Sequence, residues 1–129
     1  MTTQFDAVAE TIVLYFDGLF NSDTAKLRQA FHPKAQYVCA TDGELLYRTM
    51  DEYFPVVDSR PSPASRGEPR TDRIQSIEFA GMVTARACVN CSIGEKYFTD
   101  FLTFVFVDGR WQIMSKVFHH EPLSTIGER

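Results

Sequence analysis

The hydrophobic pattern changes period once along the chain. Phe5, Val8, Ile12, Tyr15, Phe16, Leu19 and Phe20 recur at steps of three and four, which predicts an amphipathic helix of about four turns. Asn21-Ser22-Asp23 ends that helix and caps a second, short one through Leu27 to Phe31, which Pro33 stops because the residue before a proline avoids helical angles. Ala35 to Ala40 reads as a strand and Asp42-Gly43 as a turn. Thr49-Met50-Asp51-Glu52 is a capping box that opens a third helix, running to about Val57. A long loop with Pro61, Pro63, Gly67 and Pro69 fills Asp58 to Arg70. From Thr71 on, the chain alternates as strands do. Arg73–Phe79, Met82–Ile93, Lys96–Val107 and Arg110–His119 are separated by Ala80-Gly81, Gly94-Glu95 and Asp108-Gly109.

These elements predict an α+β fold with three N-terminal helices packed on one face of a strongly curved antiparallel sheet, a cone with an internal pocket. The 129 residues suffice for a single domain, expected over 1–129. Apolar residues make up 44% of the chain, and its eleven phenylalanines need a core, a pocket or an interface to cover them. A net charge of −4 argues against a nucleic-acid partner, which requires a concentrated basic face. No apolar run approaches the roughly 20 residues of a membrane span, and the acidic N-terminus lacks the features of a signal peptide. Three cysteines, Cys39, Cys88 and Cys91, fit a reducing, cytoplasmic setting. Cys88-Val89-Asn90-Cys91 has C-x-x-C spacing but falls mid-strand, where its thiols face opposite sides, so neither a metal nor a cofactor is expected.

Asp100 stands out because its strand neighbours at spacing two are Phe98, Leu102, Phe104 and Phe106. With a two-residue turn at Asp108-Gly109, the same face continues through Trp111, Ile113, Ser115, Val117 and His119. Asp100 then lies opposite Val117, with Ser115 and His119 on the diagonals. A turn one residue longer would flip this parity and bring Lys116 to face Asp100. An acid on an apolar face is either a pocket residue with a raised pKa or a structural acid bonded to a polar neighbour. Tyr15, on the apolar stripe of the first helix, is the second candidate, although a core tyrosine bonded to backbone would show the same pattern. His32, beside Pro33, is a candidate ligand contact or the polar end of a helix. Arg60, Arg66, Arg70 and Arg73 are either solvated or an attractor for an anionic ligand at the pocket mouth.

YFDGLFNSD (Tyr15 to Asp23), LRQAFHPKA (Leu27 to Ala35), RPSPASRGEPR (Arg60 to Arg70) and FTDFLTFVFVDGRWQIMSKVFH (Phe98 to His119) resemble the nuclear transport factor 2-like superfamily. Among its members they are similar to the SnoaL-like and putative lumazine-binding branches. Ketosteroid isomerase shares that fold, and the resemblance implies that Tyr15 and Asp100 match its oxyanion-hole tyrosine and protonated aspartate. The position of that enzyme's catalytic base falls on or near Cys39, and a neutral thiol is a poor base.

Two functional expectations follow. In the first, the cone holds an unidentified small molecule. Tyr15 and Asp100 donate hydrogen bonds to its carbonyl or enolate, and His32 or His119 moves the proton. Phe16, Cys39, Phe98, Leu102, Trp111, Ile113 and Val117 then line the pocket, and the chemistry is isomerisation, dehydration or a similar proton transfer on a small carbonyl or aromatic ligand. In the second, the chain is a non-catalytic homodimeric module that pairs through Phe101, Val105, Val107, Met114 and Phe118 on the opposite sheet face.

Overall fold

A computed structural model describes residues 3–127. Helix α1 (Gln4–Asn21) and helix α2 (Thr24–Ala30) precede strands β1 (Phe31–Cys39) and β2 (Leu46–Thr49). Helix α3 (Met50–Ser59) then leads to strands β3 (Arg73–Ala80), β4 (Thr84–Ile93), β5 (Lys96–Val107) and β6 (Arg110–Pro122), and a short helix α4 (Leu123–Gly127) follows. The six strands form one sheet in the order β2-β1-β6-β5-β4-β3. The helices cover one side of it, here called the inner face.

Local chemistry sets the helix ends. The Thr3 hydroxyl accepts from the Asp6 N–H at 3.0 Å to start α1, and Ser22, at φ 48°, closes it in the left-handed conformation. Gly18 has no side chain because a Cβ there would come within 2.7 Å of Leu27, so it lets α1 and α2 approach closely. The capping box of α3 is formed in both directions: Glu52 N–H donates to the Thr49 hydroxyl at 3.3 Å, and Thr49 N–H donates to Glu52 Oε1 at 2.9 Å.

Asp108 and Gly109 both have positive φ and make a two-residue turn that pairs Val107 with Arg110, as the Asp-Gly signal predicts. Ile93 pairs with Lys96 around Gly94-Glu95. The α+β class is as expected, but the sheet is not wholly antiparallel. β1 runs parallel to β6, because the chain crosses the sheet between them, and β2 is an added edge strand. The third helix follows the first strand as expected, with the short strand β2 added just before it.

The register of the last hairpin also differs from simple alternation. Phe104 pairs with Ile113 but Thr103 pairs with Ser115, so Met114 is an extra residue, a β-bulge. Beyond it every side chain of β6 changes face. Asp100 lies opposite Phe118, not Val117, and Leu102 lies opposite Lys116. Lys116 and Phe118 are buried, while Val117 is 45% exposed and His119 is exposed.

The candidate site

Tyr15 and Asp100 meet as helix periodicity and strand alternation require. The Tyr15 hydroxyl donates to Asp100 Oδ2 at 2.5 Å, and both residues are fully buried. Burial, and next to it the Asp100 charge, push the Tyr15 phenol well above its ordinary value. Burial likewise raises Asp100, against the opposing pull of the Lys116 charge and the Tyr15 hydrogen bond. Asp100 Oδ1 is buried with no hydrogen-bond partner among the described residues.

Lys116 arrives beside this pair because of the bulge. Its Nζ lies over five aromatic rings: Phe118 at 4.8 Å, Tyr15 at 5.2 Å, Tyr37 at 5.3 Å, Tyr53 at 5.6 Å and Phe98 at 6.0 Å. Such desolvated cation–π contacts are worth up to about 2 kcal/mol. Among the described residues the amine makes no hydrogen bond or ion pair within 4.0 Å. Burial alone would pull the amine's pKa down; Tyr53, Asp100, Tyr37 and Cys91 push it up, and the net direction is upward. Burial holds the Tyr53 phenol and the Cys91 thiol in their neutral forms near neutral pH. Of the groups that raise Lys116, Asp100 is the one with an ordinarily acidic pKa, and its ionised form favours the ammonium. The Tyr53 hydroxyl is buried and also lacks a partner among the described residues.

Three of the five rings around Lys116 belong to a cleft of about 220 Å³ that opens to solvent. Tyr37, Phe98, Phe118 and Cys39 form its apolar wall, and Arg48, Arg60, Lys96, His120, Asp42 and Glu44 its polar mouth. Burial and then Lys96 lower the His120 imidazole pKa, so the ring is neutral at pH 7; its Nε2 lies 3.9 Å from an Asp42 carboxylate oxygen. Roomier grooves lie elsewhere. One of about 480 Å³ runs over Glu78, Arg86, Phe101 and Thr103, away from Tyr15 and Asp100.

The structure therefore sorts the expected site residues into five groups. Tyr15 and Asp100 are bonded together, and neither they nor Lys116 and Tyr53 line the open cleft. Cys39 and Phe98 do line it. Phe16, Leu102 and Ile113 are buried core, and Trp111 packs on Phe79 and Phe106 beside a separate groove. Val117 and His119 are corrected to the outer face, where His119 Nδ1 bonds Thr41 Oγ1 at 2.8 Å. His32 accepts from the Lys34 N–H at 3.0 Å and is not part of the cleft. Sequence reasoning missed Tyr37, Tyr53 and His120. Tyr37 shares a face with Ala35 and Cys39 in the expected first strand, and Tyr53 falls in the third helix, so both were within reach. His120 was hidden by the bulge. Cys88 and Cys91 do face opposite sides, Cys91 inward and buried and Cys88 outward.

The sequence profile of the putative lumazine-binding family matches residues 3–119. The chain belongs to that family. It is a member of the nuclear transport factor 2-like superfamily, as two solved proteins of unknown function illustrate. One, from Shewanella baltica, superposes with a TM-score of 0.82 at 27% identity over 95% of this chain and 99% of that one. Another, from Silicibacter pomeroyi, has a TM-score of 0.78 at 25% identity over 94% and 100%. Aldolase FrzH of Cladobotryum sp is 28% identical over 121 residues, 94% of each chain. No helix among the described residues of this family member is long and apolar enough to cross a membrane.

Proposed function

We propose that this chain is a pocketed, cone-shaped small-molecule enzyme that moves a proton on a carbonyl ligand, as the first half of an aldol-type reaction. The observation that carries the reading is the cluster of unmet polar groups. The Tyr53 hydroxyl and Asp100 Oδ1 are buried without hydrogen-bond partners among the described residues, beside the Lys116 amine. Leaving a buried polar group unpaired costs about 1–3 kcal/mol, so two of them beside a buried amine are explained best by a ligand that completes them.

In this reading the carbonyl oxygen enters past Tyr37, Phe98 and Phe118 and accepts from the Lys116 ammonium. Neutral His120 takes the α-proton, and the negative charge that develops on oxygen as the enolate forms is met by Lys116. The enolate carbon then forms a bond to a second carbonyl carbon, and the proton held on His120 passes to the new alkoxide, so the cycle consumes no net proton. Asp100 and Tyr15 are positioning residues that hold Lys116 charged. A charged amine is a poor nucleophile, which favours this over a Schiff base on Lys116. The likeness to an aldolase supports the reaction class.

The test is deuterium exchange at the benzylic carbon of phenylacetone in D₂O, followed by proton NMR. The wild type should accelerate exchange over buffer, and Lys116→Met and His120→Gln should each abolish most of that acceleration. Exchange at the buffer rate would contradict the proposal, and trapping of a Lys116 adduct by borohydride would replace it with Schiff-base chemistry.

The outer face supports a homodimer with a revised membership. Phe101 is 61% exposed there and Val117 joins it, whereas Phe118 is turned inward by the bulge.

A further inference from the structure

Of the four arginines in and beside the loop after α3, two have partners on their own surface. Arg66 pairs with Glu68 at 3.3 Å. Arg70 reaches Asp17 and Asp72, each at 2.5 Å, and stacks on Phe20. Arg73 opens β3 and is exposed. Arg60 differs from all three. It caps the C-terminal end of α3, its N–H donating to the Val57 carbonyl at 3.4 Å, and its side chain lines the cleft. Both its Nε and its Nη2 are buried with no hydrogen-bond partner among the described residues.

Those two nitrogens share one edge of the guanidinium and carry parallel N–H bonds, the arrangement that grips both oxygens of a carboxylate. A buried, unpaired pair of charged donors is more expensive than a neutral one, and this pair belongs to a side chain that lines the cleft. Arg60 also influences the same two groups that Lys116 influences, the Tyr53 phenol and the Cys91 thiol, so the two cations border one cluster. Arg48 and Lys96 add positive charge at the mouth; Asp42 and Glu44 oppose them from exposed positions.

We propose that the cleft takes a small carbonyl acid, its carboxylate on the Nε and Nη2 edge of Arg60 and its carbonyl directed inward to Lys116. This rests on the reading of the cleft as the ligand site and adds the substrate class. The cleft, at about 220 Å³, is smaller than the roughly 300–1,000 Å³ of most drug-sized sites, which suits an acid of this size.

The matched probes are phenylpyruvate and phenylacetone, which share a ring, a methylene and a carbonyl and differ by the carboxylate. Calorimetric titration of each into the wild type should show phenylpyruvate binding at least 10-fold tighter. Arg60→Gln should erase that preference while leaving phenylacetone unchanged, and Arg60→Lys should restore part of it. The thermal midpoint of Arg60→Gln should stay at or above the wild-type value, since the fork has no protein partner to lose. Equal binding of the two probes, or a preference that survives Arg60→Gln, overturns the carboxylate assignment and leaves the cleft intact as a site. A midpoint several degrees lower gives Arg60 a structural role and overturns it as well. Binding of neither probe removes the cleft reading, and this inference falls with it.

Discussion

The two halves of the β5–β6 hairpin obey the same alternation rule and reach opposite results. On the turn side, Phe104 and Phe106 face Ile113 and Trp111, as strict alternation from Asp108-Gly109 requires. On the far side, the single extra residue Met114 inverts β6, so Lys116, Phe118 and His120 take the inner face and Val117 and His119 the outer one. β5 is read correctly along its whole length, which is why Asp100 lies where its apolar neighbours place it. The difference teaches that one strand of a pair can be legible while its partner is displaced by a residue that carries no local mark.

Deleting Val117, beyond the bulge, breaks this comparison outright. The variant must either keep the bulge and turn Phe118 and His120 outward, or close it and turn Lys116 outward. No cooperative unfolding transition is expected by circular dichroism at 25 °C. A Val117 deletion variant with near wild-type stability would mean that the register of β6 does not set the inner face.

Asp100→Asn sharpens the comparison next. It strands the Lys116 ammonium in a ring cage, and removing one member of a buried charge pair typically costs about 3–5 kcal/mol. Because the pair here is not in direct contact, about 2–3 kcal/mol is expected from urea unfolding. Asp100→Asn with Lys116→Met together should recover a large part of that loss. Additive losses in the double variant would show that the two charges do not interact.

His120→Gln tests whether the inverted half reaches the cleft as chemistry. A general base typically supplies about 10²–10⁴-fold, so exchange should fall by roughly two orders of magnitude with the fold unchanged. In the wild type the rate should fall only as the pH drops below about 6.5, the ordinary histidine value, because burial and Lys96 lower the imidazole. The stability sign agrees. A histidine with a lowered folded pKa binds fewer protons folded than unfolded, so its contribution is full above about pH 6.5 and is lost as pH falls. His120→Gln should therefore flatten the acid side of the stability profile.

Val117→Lys is the mildest change. On an exposed strand position it should alter monomer stability by under about 0.5 kcal/mol. It should shift light-scattering mass from dimer to monomer at micromolar protein. A wild-type monomer under those conditions would remove the dimer proposal.

Much of the fold was readable for stated physical reasons. The Thr49–Glu52 box, the Asp108-Gly109 turn and the stripe from Val8 to Leu19 are local signals whose structure is decided within a few residues. The parallel β1–β6 pairing was not readable, because it joins segments far apart in sequence and depends on the whole sheet. Tyr15 and Asp100 were found because each lies on an unbroken periodic element. Lys116 was visible only as the consequence of a slipped parity; its actual cause, a bulge at Met114, has no glycine or proline to mark it. Arg60 was one of several loop arginines until its neighbours' partners set it apart.

The most direct test of the account is the titration of the Lys116 side chain, followed by the ¹³Cε resonance of selectively labelled protein. Exposed lysines change state near pH 10.4. The account predicts that Lys116 keeps its ammonium shift while they titrate, because Asp100 and the surrounding tyrosines raise it. It also predicts that Asp100→Asn lowers the Lys116 titration relative to the wild type. A Lys116 resonance that titrates together with the exposed lysines, unchanged by Asp100→Asn, would contradict the claim that the bulge delivers a charged amine to the Tyr15–Asp100 pair.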